Sequence, residues 1–226
     1  MDYFEDMWRK KIKKNVKDIV SVSDSTLISN IDASDPIPYT KELINTLKEN
    51  TIEDKIKRIF CKSACHIPHE KLESAKLVYE DTNSIESARL VLESSFRKDI
   101  KEYKNLTDSQ VQLILNRGWG LAGKLIDGKI IATKIPSKFH EYFLEEDTQK
   151  KKYYYCHCPR VRDAFLENDS IDSIYCNCGG GFYQDVWEYI TGKEVNINLL
   201  KSLFDGDQVC QFEIEISTNS IHDSRS

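Results

Sequence analysis

The sequence predicts an α+β fold in which a helical N-terminal half packs on a C-terminal antiparallel sheet. Apolar residues recur every three or four positions from Tyr3 to about Arg117, the period of a helix with one buried face. Beyond Leu121 the period shifts toward two, and Asp127-Gly128 and Asp205-Gly206-Asp207 punctuate the apolar runs as hairpin turns do. The chain of 226 residues, 40% hydrophobic and 31% charged with only 9 Gly and 5 Pro, has a real core and is not collagen-like, low-complexity or wholly disordered.

Tyr3, Phe4, Met7, Trp8, Ile12, Val16 and Ile19 line one stripe of a helix spanning Met1 to about Val22, with Arg9, Lys10, Lys11, Lys13, Lys14 and Lys17 on the remainder. Such a basic amphipathic helix could meet an acidic membrane or partner, but packing on the protein's own body is the commoner use. Ser23 to Pro38 reads as a linker, so residues 1-38 form a helix-and-linker unit. A helical subdomain of four or five helices follows over 39-118, carrying Leu43, Ile44, Leu47, then Ile52, Ile56, Ile59, Phe60, then Leu72, Ala75, Leu77, Val78. Ser84 to Tyr103 continues the pattern, and Thr107-Asp108-Ser109 caps the next helix. An α+β cysteine-rich domain is expected over 119-216: a hairpin at Ile126-Asp127-Gly128-Lys129, a strand from Lys129 to Ile135, and a further strand at Tyr153-Tyr154-Tyr155. A helix from Phe182 to Ile190, stopped by Gly192, leads to a closing hairpin with alternating Val209, Gln211, Phe212, Glu213, Ile214, Glu215, Ile216. Residues 217-226 read as a fraying polar tail.

Thirty-two Lys and Arg against 37 Asp and Glu give a net charge of −5, so no positive field gathers phosphate backbones and no nucleic-acid partner is expected. No apolar stretch approaches the roughly 20 residues of a membrane span, and MDYFEDMWRKKIKKN lacks an apolar signal core, which predicts a cytoplasmic protein. Seven cysteines in such a chain point to metal or thiol chemistry rather than a disulfide scaffold. Six come in close pairs: Cys61 with Cys65, Cys156 with Cys158, Cys176 with Cys178; Cys210 stands alone in the last strand, as a core residue.

In an extended segment each Cys-x-Cys places two sulfurs on one face with Cα atoms about 6.6 Å apart, wide for a disulfide within the pair. Two such segments side by side converge four thiols, the donor set of tetrahedral zinc. Cys156, Cys158, Cys176 and Cys178 are therefore the expected metal ligands, with Cys61 and Cys65 as a reserve pair and His66 and His69 as further donors. Zinc knuckles use Cys-x2-Cys, so both pairs are one residue short; an iron-sulfur cluster would draw on the same thiolates, and some cysteines could be simply buried.

A thiol-chemistry reading uses the same block. Gly179-Gly180-Gly181 could take positive φ and form an anion nest with Arg160 nearby for a carboxylate, a small-molecule ligand site. Cys178 at the start of the following helix would be the nucleophile and His157 its base, with Cys176 able to resolve a sulfenate. The plain alternative for the glycines is a tight connection into the helix. Asp205 and Asp207 read as turn formers rather than calcium ligands, and Trp119, Trp187 and Tyr153 to Tyr155 as packing rather than a ligand pocket.

Cys156-His157-Cys158-Pro159, Tyr175-Cys176-Asn177-Cys178 before Gly and Phe182, Trp187-Glu188, Gly192-Lys193-Glu194-Val195 and Gly206-Asp207-Gln208-Val209-Cys210-Gln211-Phe212 together resemble a family of uncharacterised prokaryotic cysteine-rich proteins, over roughly residues 58 to 216. The ending Gly-Asp-x-x-Cys-x-Phe is also similar to that of vinyl-reductase-like small-molecule-binding domains and of the aminothiazoline-carboxylate hydrolase family. Those relatives imply helices on an antiparallel sheet and a pocket for a small organic ligand. The expected function is small-molecule binding or sensing with a cysteine-ligated zinc site; the competing expectation is a thiol-dependent or metal-assisted hydrolase of a small amide or cyclic amidine.

Overall fold

In a computed structural model, which describes residues 3–20, 27–103 and 105–220, the chain is α+β. Among the described residues six α-helices precede the first strand: α1 (Tyr3–Val20), α2 (Pro36–Asn50), α3 (Glu53–Lys62), α4 (Glu73–Thr82), α5 (Ile85–Tyr103) and α6 (Asp108–Asn116). Strands β1 (Lys124–Ile126) and β2 (Lys129–Thr133), helices α7 (Phe139–Leu144), α8 (Thr148–Tyr155) and α9 (Asn177–Thr191), and strands β3 (Lys193–Lys201) and β4 (Gln211–Ser220) complete it. The residues fall into two units, each threaded by separate stretches of chain: Met1–Cys65 with Pro136–Gly181 and Leu203–Gln208, and His66–Ile135 with Phe182–Ser202 and Val209–Ser226.

In the first unit part of the stripe read from the sequence is buried. Trp8, Ile12 and Val16 of α1 meet Leu43, Ile44 and Leu47 of α2 and Ile56, Ile59 and Phe60 of α3 in one core, closed by Val161, Ala164, Ile171, Ile174 and Tyr175. Tyr3, Phe4 and Met7, expected on that stripe, are instead exposed in the first turns of α1. Pro36 in the first turn of α2 costs no hydrogen bond, because an N-terminal amide has no helical partner. The linker expected at Ser23 to Pro38 lies partly outside the described residues, at 23–26; residues 27–30 form a turn, and the last three positions already belong to α2.

In the second unit the sheet is antiparallel in the order β1-β2-β4-β3. Asp127 at φ +50° and Gly128 at φ +80° make the tight turn between β1 and β2, the left-handed pair a two-residue hairpin requires. Ile130 and Ala132 of β2 stand opposite Ile214 and Phe212 of β4, and Ile197 of β3 pairs with Ile214 from the other side. Phe212 and Ile214 are buried while Glu215 is exposed, as period two demands. Helix α9 lies on this sheet through Tyr183, whose ring centroid is 5.4 Å from that of Phe212, and buries Val186, Trp187 and Ile190. Thr107 opens α6 with the full reciprocal cap: its hydroxyl accepts from the Gln110 amide, and the Gln110 side chain accepts from the Thr107 amide.

Three local expectations are corrected. Tyr153-Tyr154-Tyr155 is the end of α8, not a strand: Asp147 caps that helix by accepting from the Lys150 amide at 2.8 Å, and burial of Tyr155 holds its last turn. The segment around Cys176 is not extended. Asp172 accepts from the Ile174 amide and starts a 3-10 turn, Ser173–Cys176, that runs straight into α9, five residues earlier than the Phe182 start expected. The polar end is a strand as far as Ser220, paired with Lys193; residues 221–226 lie outside the described residues.

Candidate functional site

Six cysteines, at 61, 65, 156, 158, 176 and 178, belong to the first unit, although more than 90 residues separate the earlier pair from the later four; Cys210 belongs to the second and is buried. None of the seven is in a disulfide. Cys61 is buried in the last turn of α3, and its thiol donates to the Asn177 carbonyl oxygen at 3.2 Å. That contact sets the α3 thiol beside the backbone that joins Cys176 to Cys178. Cys65, past the end of α3, is exposed. Cys156 ends α8, its amide donating to the Lys152 carbonyl; Cys176 closes the 3-10 turn; Cys178 is the second residue of α9.

Cys156, Cys158 and Cys178 are half-buried against the aromatic core of this unit. Its central member is Tyr175, fully buried, with ring centroids 5.4 Å from Phe60 and 6.2 Å from Trp8. The Tyr175 hydroxyl lies 2.9 Å from the Cys158 sulfur. Burial pushes its phenol well above the ordinary range, and the negative charge that Cys158 and Cys178 would carry pushes the same way, with Arg160 opposing. Cys158 thus faces a hydroxyl that holds its proton, and Cys178 lies against the core to which that ring belongs.

A buried charge network flanks this cluster. Glu5 of α1 accepts from Arg9 Nε at 2.6 Å and from Arg160, whose guanidinium lies 3.6 Å above the Trp8 ring. Arg9 stacks 3.8 Å over Tyr39 and donates to the carbonyls of Ala33 and Ser34. Arg160 is therefore engaged with a carboxylate and an indole inside the unit. Two guanidinium groups share one carboxylate, so the network carries an excess positive charge beside the thiols.

The three glycines stand in the first turns of α9, with helical rather than left-handed backbone, so the positive-φ nest is corrected. Gly181 serves close approach instead: a Cβ there would lie 1.8 Å from the Cys61 carbonyl oxygen. With no side chain, α9 can seat its first turns against the end of α3. His157, between its two cysteines, is exposed. Among the described residues no three His, Cys, Asp or Glu side chains stand as a ready-made metal cage.

Sequence reasoning missed Tyr175, Glu5 and Arg9. Tyr175 and Cys178 are three residues apart, the spacing that shares a helix face, so the signal was present but hidden by reading the segment as extended. Glu5 and Arg9 show the i,i+4 spacing of a helical ion pair; nothing in the sequence marks Arg160 as their partner.

Among described residues no helix is long and apolar enough to cross a membrane. No curated protein and no solved structure matches the chain. Residues 130–221, which include four of the clustered cysteines and Cys210, match the model of a family of unknown function, DUF6144, and over that stretch the chain is similar to that family.

Proposed function

We propose that the protein is a small-molecule-binding or sensing protein that holds a soft metal ion, zinc in the first place, on cysteine thiolates of its first unit. The observation that carries this reading is the Cys158 sulfur 2.9 Å from the buried hydroxyl of Tyr175, with Cys178, 20 residues later, half-buried against the same core. Cys61, held at Asn177, supplies a third sulfur from a third element, with Cys156, Cys176 and Cys65 close in sequence to these. The donor chemistry fits: soft thiolates, a hydroxyl able to donate to a metal-bound sulfur, and excess positive charge from Arg9 and Arg160 to offset thiolate charge. The sulfurs do not form a cage as they stand. A bound zinc would cross-link the three segments and, with three thiolates, leave one position for a ligand. Iron held as a sulfur cluster would use the same side chains.

The test is elemental analysis of anaerobically purified protein, with a count of reactive thiols before and after chelation. About one zinc per chain, with thiols released by the chelator and zinc lost in Cys158→Ser and Cys178→Ser, is the expected result. Absence of metal together with fast alkylation before chelation would overturn it.

A second reading, a hydrolase with Cys178 as nucleophile and His157 as base, similar to the aminothiazoline-carboxylate hydrolase family, draws on one observation. Cys178 is the second residue of a 15-residue helix, at the positive end of its dipole, which favours a thiolate. Fast alkylation at pH 7 that disappears in Cys178→Ala, in metal-free protein, would favour it.

A further inference from the structure

In the second unit two imidazoles meet one carboxylate. His66 Nδ1 lies 2.9 Å and His69 Nε2 3.1 Å from the same oxygen, Oδ2 of Asp185 on α9. His66 precedes and His69 begins a 3-10 turn, His69–Lys71, so the His-x2-His spacing brings both rings to one side. Tyr189, one helical turn beyond Asp185, stacks on the His69 ring with centroids 4.0 Å apart, and its hydroxyl donates to Glu73 at 2.6 Å. His69 is thereby held in a fixed plane.

We propose that His66, His69 and Asp185 form an open site for a divalent transition-metal ion, distinct in chemistry from the thiol cluster. Zinc with nitrogen and carboxylate ligands at about 2.0–2.2 Å and tetrahedral angles places its donor atoms about 3.3 Å apart. The observed 2.9 and 3.1 Å are hydrogen-bond lengths a few tenths shorter, so the cluster is closed by shared protons in place of a ready gap. Opening it needs little. In the tautomer with the proton on the far ring nitrogen each imidazole turns a lone pair toward Asp185, and the carboxylate draws back by those few tenths. Two imidazoles and one carboxylate suit zinc, cobalt and nickel over calcium or magnesium, which prefer all-oxygen sets. The side chains of His66 and His69 are each 43% exposed and that of Asp185 20%, so solvent reaches the ion and the remaining positions are open to water or a ligand. An open set of this kind binds exchangeable ligands, where a four-thiolate site is closed.

The experiment is a cobalt(II) titration of the full chain followed by visible absorption, in which thiolate ligation shows as an intense charge-transfer band and nitrogen-oxygen ligation does not. The expected result is a cobalt-binding event without that band, weakened at least tenfold in Asp185→Asn and in His69→Gln and unchanged in Cys158→Ser. Should Asp185→Asn unfold, as circular dichroism would show, His66→Gln takes its place. Uptake of cobalt only with the charge-transfer band, no uptake at all, or variants that lose thermal stability while binding cobalt as tightly as the parent would overturn the proposal. Loss of the band in Cys158→Ser tests the thiol site separately, so either site can fail alone.

Discussion

The carbonyl oxygen of Cys61 lies where a side chain on Gly181 would begin, 1.8 Å from an ideal Cβ, with the Cys61 Cα at 2.7 Å. Helix propensity alone would favour alanine at a helical glycine by about 1 kcal/mol. Backbone atoms cannot swing aside as a side-chain tip can, so the clash outweighs that gain. Gly181→Ala is expected to destabilise the protein by about 3 kcal/mol in urea unfolding. A neutral or stabilising effect would show that α9 does not approach α3 this closely.

Glu5 is the only carboxylate on two buried guanidinium groups in the network described above, those of Arg9 and Arg160. Removing it leaves both charges buried and mutually repelling, and losing one partner of a buried pair costs about 3–5 kcal/mol. Glu5→Ala should fall in that range, while Asp6→Ala, which removes the exposed Lys10–Asp6 pair on the same helix, should cost far less. Equal effects would contradict the burial of the network.

Burial raises the phenols of Tyr39, Tyr175 and Tyr183 above the ordinary tyrosine range. Such a group adds stability that is fully present below the unfolded-state value near 10 and is lost as pH rises past it, because only the unfolded chain then gives up the proton. Urea midpoints should therefore fall from pH 9 to pH 11, and alkaline difference absorbance should show these tyrosines ionising together with unfolding. Early ionisation of all 11 tyrosines in the folded protein would contradict it.

Tyr175→Phe removes the hydroxyl from the Cys158 sulfur and leaves the ring between Phe60 and Trp8. The fold should persist with a loss of about 1 kcal/mol, the net worth of one hydrogen bond. On the metal-binding reading zinc affinity should fall about tenfold, the effect of removing a group that hydrogen-bonds a ligand atom. Zinc affinity equal to that of the parent would separate Tyr175 from the site.

The α+β class, the hairpin at Asp127-Gly128, the capping of α6 and the burial of Trp8, Ile12 and Val16 were legible in the sequence because each rests on local periodicity or turn chemistry. The misread segments are those where local preference is weak. Three tyrosines in a row favour a strand, yet the Asp147 cap and the burial of Tyr155 decide for helix. Three glycines suggest left-handed backbone, yet a contact with a residue 120 positions earlier in the chain decides for helix again. Which residues carry the chemistry was partly legible, since the cysteines announce themselves. Their gathering around Tyr175 was not, because it depends on α3, the 156–158 segment and the start of α9 meeting at one core.

X-ray absorption at the zinc edge of metal-loaded protein tests the central claim most directly. Three or four sulfur neighbours at about 2.3 Å per zinc, falling in number in Cys158→Ser, are predicted for an ion on the thiol cluster. A zinc environment with only nitrogen and oxygen neighbours at about 2.0–2.1 Å, or one untouched by Cys158→Ser and Cys178→Ser, would contradict a cysteine-ligated site.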